Sequence, residues 1–149
     1  MMNIVDLAIA CKMDRIDMEA DDLGRYIWPT MGFLPATDEI WTKEVARLAG
    51  KRLERLWLGG HLTSDDHEDL RHIIGRLDRM AARSLIVQDI MVPGPSPRGG
   101  EARVPVGKVL LLSSRTTWNA SLDLKNDQEG LDLFEAYKRK HHVSHPAPR

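Results

Sequence analysis

The chain reads as an α+β protein, with N-terminal helices and a long αα-hairpin, then a small antiparallel sheet of two to three strands and a C-terminal helix. Three observations predict this. From residue 37 to 83 apolar residues recur at the 3.6-residue helical period. After residue 84 short apolar runs bounded by proline and glycine replace that period, and near residue 127 it returns. Helices followed by strands describe segregated layers rather than alternating βαβ units. A length of 149 residues suits one domain, 1–149, with 1–36 as an N-terminal arm and 142–149 as a frayed tail.

The elements follow in order. IVDLAIACKM (4–13) is a short apolar helix. MEADDLGRYI (18–27) is a weaker one, because Gly24 opposes it. Trp28-Pro29 ends it, since the residue before proline avoids the α region. TDEIWTKEVARLAGKRLERLWLGG (37–60) is the clearest helix. Thr37 or Asp38 caps it, Asp38 and Glu39 suit the positive end of its dipole, and Gly59-Gly60 stops it. Trp41, Val45, Leu48, Ala49, Leu53 and Leu56 share one face, and burying each large side chain contributes about 2 kcal/mol.

A second long helix spans 64–83, with Leu70, Ile73, Ile74, Leu77, Met80 and Ala81 as its stripe. GGHLT joins the two helices into an αα-hairpin with the stripes facing. LIVQDIMV (85–92), VGKVLLLSS (106–114) and, more weakly, TTWNASLDL (116–124) read as strands. PGPSPRGGEAR (93–103) reads as a mobile hairpin loop, because its prolines and glycines oppose regular pairing. The last helix, 127–141, turns Leu131, Phe134 and Tyr137 to the body and places Lys138, Arg139, Lys140 and His141 at its negative end.

Composition narrows the class. One cysteine, Cys11, excludes an internal disulfide framework and suits a reducing compartment. No stretch approaches the roughly 20 apolar residues of a membrane span, and residues 1–13 lack the basic start of a signal peptide. A cytoplasmic protein without a membrane partner is expected. Net charge is −1 but uneven: residues 1–40 carry −5 and residues 41–149 carry +4. An acidic segment on a mildly basic body follows.

The densest chemistry is HLTSDDHEDLRH (61–72). Thr63 caps a helix, and Asp65 and Asp66 fit its first turn, so ordinary helix-start rules explain most of the charge. Asp65, Asp69 and His72 fall near one another at i, i+4 and i+7 and form the candidate metal or acid–base set. His61 lies outside the helix, and His67 is about 140° around it from His72.

Two basic rows offer a different chemistry. Lys43, Arg47 and Lys51 recur on the first long helix; Arg76, Arg79 and Arg83 recur on the second. With the apolar stripes packed together both rows would face outward and could follow phosphates. A solvated charged face is the plainer account, with Glu44, Glu54 and Glu68 nearby.

Four further residues are candidates for a protein partner. Asp21 and Asp22 belong to the acidic segment, Arg52 interrupts an apolar stripe, and Arg98 sits in PGPSPRGG. Trp28 and Phe33, read as exposed, could mark a self-interface. Nucleotide-loop, dinucleotide, zinc-protease, dithiol and serine-hydrolase signatures are absent.

The expected function is therefore a small non-catalytic regulatory or protein-interaction protein without a cofactor, of the inhibitor or immunity type found in phages and mobile elements. Nucleic-acid binding by the basic rows is the alternative. A metal-dependent enzyme using Asp65, Asp69 and His72 ranks third.

Overall fold

The computed structural model describes residues 4–21, 24–95, 101–112 and 117–142. It is mixed helix and sheet, as the α+β reading requires. The helices are α1 (Ile4–Ala10), α2 (Gly24–Thr30), α3 (Asp38–Ile40), α4 (Ala46–Leu58), α5 (Ser64–Ile74), α6 (Ala81–Ile86), α7 (Val106–Leu112) and α8 (Gln128–His142). The strands are β1 (Arg15–Ala20), β2 (Leu34–Pro35), β3 (Met91–Pro95), β4 (Glu101–Pro105) and β5 (Trp118–Asp123). β5 is central in an antiparallel sheet of order β1-β5-β2, and β3 and β4 form a separate hairpin.

The αα-hairpin is present. Thr37 Oγ1 accepts from the Ile40 N–H, and helix continues through a π-helical turn, Trp41–Val45, into α4. Trp41, Val45, Ala49, Leu53 and Leu56 are buried, and Leu48 is half-buried. Thr63 Oγ1 accepts from the Asp66 N–H and starts α5, whose Leu70 and Ile74 pack back onto α4.

The second long helix stops early. It ends at Gly75 rather than near residue 83, and Leu77 is exposed. Polar partners outweigh the period here. Trp41 Nε1 donates to the Arg76 carbonyl, Asp38 Oδ1 accepts from the Arg79 N–H, and Asp78 takes both the Arg76 guanidinium and the Met80 N–H. Side chains that bond nearby backbone in this way offer the chain a turn in place of a helix. The short helix α6 then starts afresh.

Residues 18–27 also divide differently. Ile16, Met18 and Ala20 turn inward while Arg15, Asp17 and Glu19 face solvent, the period-2 pattern of a strand. Pairing with β5 overrides the helical preference of Met, Glu and Ala. α2 runs through Pro29 and ends in a left-handed cap at Gly32 (φ 97°), with Gly32 and Phe33 donating back to the Pro29 and Trp28 carbonyls. A Cβ on Gly32 would collide with the Gly130 backbone, so α8 lies directly against this cap.

Two strand expectations are corrected. VGKVLLL is helix α7, and Val106, Gly107, Val109, Leu110 and Leu111 are buried within it. A short, wholly apolar run fits a helix buried on most sides as well as a covered strand, and α7 packs against α2, α4 and α6. LIVQDIMV divides too: Leu85 and Ile86 close α6, and only Met91 and Val92 enter β3. The segment read as a loop supplies most of the hairpin, with Pro93, Gly94 and Pro95 paired to Arg103, Ala102 and Glu101. Gly94 is needed because a Cβ there would overlap Val104.

One core cluster collects Val5, Ala8, Ile16, Ala20 and Phe33 together with the buried faces of α4 to α8 and β5. Among the described residues no helix is long and apolar enough to cross a membrane.

Candidate interaction surfaces

The histidine-rich start of α5 separates into independent contacts. His67 turns to α4, where Nε2 lies 2.8 Å from Glu54 Oε1 and the ring stacks on Trp57 at 4.6 Å. His72 faces solvent, 3.3 Å from Glu68. Asp65 and Asp69 are exposed. Among the described residues no group of three or more His, Cys, Asp or Glu side chains is placed to hold one metal ion.

Only one of the two basic rows is a row. Lys43, Arg47 and Lys51 are exposed along one helical run, with Lys43 paired to Glu39 at 2.6 Å. Arg55 extends it by another turn. The Glu39 carboxylate is lowered below its usual range by the Lys43 hydrogen bond first and the Lys43 charge second. Arg76, Arg79 and Arg83 do not share an outward ridge, because the helix ends before them. Arg76 folds onto Asp78. Arg79 is half-buried over the sheet, with Nη1 3.4 Å from the Pro35 carbonyl and 3.4 Å from Ser121 Oγ.

Arg83 is buried, its side chain 4% exposed. It donates to both Asp127 oxygens at 3.0 and 2.8 Å and to the Gly32 carbonyl at 2.9 Å. Asp127 also accepts from the Gly130 N–H and so caps α8. Burial alone would raise the Asp127 pKa. The Arg83 hydrogen bonds, the Gly130 N–H and the charges of Arg83 and Arg79 outweigh burial and lower it. A guanidinium held in this way latches the Gly32 cap to α8, which is a structural role.

Arg52 is half-buried and makes no hydrogen bond or ion pair among the described residues. Asp21 is exposed. Asp22 and Arg98 lie outside the described residues. Trp28 and Phe33 are not an exposed apolar pair: Phe33 is buried and Trp28 half-buried, their rings 5.4 Å apart.

Of the large apolar side chains exposed among the described residues, Leu58, Leu77, Val87 and Met91 are scattered along the chain, and the other four lie near the N-terminus. α1 buries Val5 and Ala8 and exposes Ile4, Leu7 and Ile9 at 60%, 53% and 48%; Met13, just past its end, is 54% exposed. Lys12, at φ 56°, closes the helix, with Lys12 and Met13 donating back to the Ile9 and Ala8 carbonyls. The chain then enters β1, where Asp17 and Glu19 are exposed, as are Asp14 and Asp21 on either side of it. Arg15 Nε lies 3.1 Å from Asp17 Oδ2 on the same face.

β1 and β2 are the two edges of the sheet, and they differ. The Leu124 N–H donates to the Asp14 carbonyl at 2.9 Å, in register with the β1–β5 ladder. Hydrogen-bonded pairs alternate in an antiparallel ladder. The peptide groups of Ile16, Met18 and Ala20 therefore point to β5, and those of Arg15, Asp17 and Glu19 point away. No backbone hydrogen bond outside that ladder reaches these three among the described residues. At the other edge the Ala36 N–H donates to Asn119 at 2.8 Å, so the outward peptide group of β2 belongs to Pro35. Pro35 has no N–H, and its carbonyl already accepts from Arg79.

Composition and local pattern pointed to the acidic segment but not to this edge. The signal was the alternation Ile16-Met18-Ala20 against Arg15-Asp17-Glu19. The exposure of α1 had no signal of its own, because an apolar heptapeptide looks the same buried or bare.

The chain matches no protein-family model, no curated protein and no solved structure.

Proposed function

We propose that this is a non-catalytic interaction protein whose partner, another protein, docks on residues 4–21. One observation carries the reading: exposed apolar side chains at Ile4, Leu7, Ile9 and Met13 and exposed carboxylates at Asp14, Asp17, Glu19 and Asp21 follow one another within a single segment whose helix packs against its strand. Large apolar side chains grouped on a surface and rimmed by charge are a common form of protein-docking site. A regulatory role of the inhibitor or immunity type fits such a surface.

The test is quantitative affinity capture from a lysate of the source cell. Wild type is compared with Leu7→Asp/Ile9→Asp and with Asp17→Lys/Glu19→Lys. Both variants should lose the same captured protein. An identical captured set from all three would remove the proposal.

A second reading rests on the row that remains. Arg47, Lys51 and Arg55 are exposed, have no ion-pair partner among the described residues, and recur every four residues, about 6 Å apart along the helix. Such a row suits a phosphate backbone. Fluorescence anisotropy with duplex DNA should then weaken steeply with salt, and Arg47→Glu/Lys51→Glu should flatten the slope. Binding that ignores salt would end this reading.

A further inference from the structure

We infer that the outer edge of β1 accepts a strand from the partner, an extended segment that carries lysine or arginine at alternate positions. The inference rests on the protein-docking reading and specifies how the partner binds. Three observations support it. Among the described residues the sheet is closed at one edge by Pro35 and Arg79, and no backbone hydrogen bond from outside the sheet reaches the other. At the open edge the peptide groups of Arg15, Asp17 and Glu19 point outward in the spacing that an added strand uses. The side chains of those same residues are exposed, and the charge running from Arg15 to Asp21 is net negative.

That charge selects the occupant. A second copy of the chain, paired antiparallel about Asp17, would set Asp17 against Asp17; Arg15 would meet Glu19 in both directions, but two segments that are each net negative from Arg15 to Asp21 would lie side by side. Shifted by one residue in each copy toward the C-terminus, it would set Asp17 against Glu19 twice. Like charges directly opposite destabilise a strand pair, and charged side chains on a strand edge generally discourage pairing with another copy. A basic strand reverses the sign. With cationic residues opposite Asp17 and Glu19 it gains two cross-strand ion pairs along with the backbone bonds.

The probe is a seven-residue peptide alternating lysine and valine, with capped ends. Its control has the same side chains but is N-methylated at alternate backbone nitrogens, so that the edge facing the protein cannot donate. Amide exchange followed by NMR should slow at least about tenfold at Arg15, Asp17 and Glu19 when the peptide is added, with Ile16 and Met18 little changed, as expected for newly bonded edge amides. The methylated peptide should give no such protection. Asp17→Lys/Glu19→Lys should bind the unmodified peptide at least tenfold more weakly.

Equal binding of both peptides would reduce the effect to surface charge and overturn the inference. So would absence of edge protection at millimolar peptide. Protection at the same amides that appears without peptide and grows with protein concentration would mean that a second copy occupies the edge, and would overturn it equally. The two proposals fail separately. Capture that depends on residues 4–21 without edge protection removes strand addition alone. Edge protection with unchanged capture removes the docking reading.

Discussion

The β2 edge and the β1 edge flank the same central strand, yet among the described residues one is closed and the other open. At β2 a proline stands where an outward N–H would be, and Arg79 bonds the outward carbonyl. The Gly32 turn leading into β2 is held in turn by Arg83 and Asp127. At β1 the outward peptide groups alternate along a six-residue strand whose exposed side chains, Arg15, Asp17 and Glu19, are all charged. Charge is a selective guard. It discourages copies of the chain and uncharged strands while leaving the backbone accessible to a partner of opposite sign.

This contrast can be broken in several ways. The largest effect is expected at the closed edge. Arg83→Met should leave the partly buried Asp127 carboxylate unpaired and cost about 3–5 kcal/mol, the usual result of removing one member of a buried ion pair. Urea unfolding with an unchanged slope measures it. A loss below about 1 kcal/mol would mean that the latch does not hold this edge.

The next tests separate the two sides of β1. Met18→Pro removes an N–H directed at β5 and should destabilise by about 3 kcal/mol. Asp17→Pro removes only an outward N–H, imitates Pro35, and should cost less than about 1 kcal/mol while abolishing peptide addition. If the two substitutions cost the same, the phase assigned to β1 is wrong.

A smaller effect is expected from acid. The Asp127 pKa is lowered in the folded protein from an ordinary 3.8. A lowered folded-state pKa contributes stability that is fully present above the unfolded value and lost as pH falls through the folded one. Stability should therefore hold down to about pH 5 and decline below it. Asp127→Asn should flatten that decline, checked by urea midpoints at pH 6, 4 and 3. An unchanged pH dependence would show that Asp127 is not the group responsible. Pro35→Ala is expected to change little, by about 1 kcal/mol, since it trims a buried ring but the outward position it opens carries no ladder bond.

How much of this was readable in advance depends on where each residue's partners lie. The helix caps at Thr37 and Thr63, the apolar face from Trp41 to Leu56, and α8 were all legible, because caps and helical faces involve residues three or four apart. The break after Gly75 was not, because Asp38 and Trp41 stabilise it from more than thirty residues away. Arg83 looked like a surface charge until Gly32 and Asp127 closed on it across the fold. VGKVLLL carried the information that it is buried but not the shape in which it is buried.

The sequence alone determined an α+β chain, its αα-hairpin, its last helix and an acidic N-terminal segment. Those follow from local periodicity, capping and charge count. Only the tertiary structure decided which strand lies at the centre of the sheet, which arginines stay in water, and which edge stays open. Each of those depends on a partner distant in sequence, and a strand's alternating pattern records which side chains are buried without recording which neighbour its peptide groups will meet.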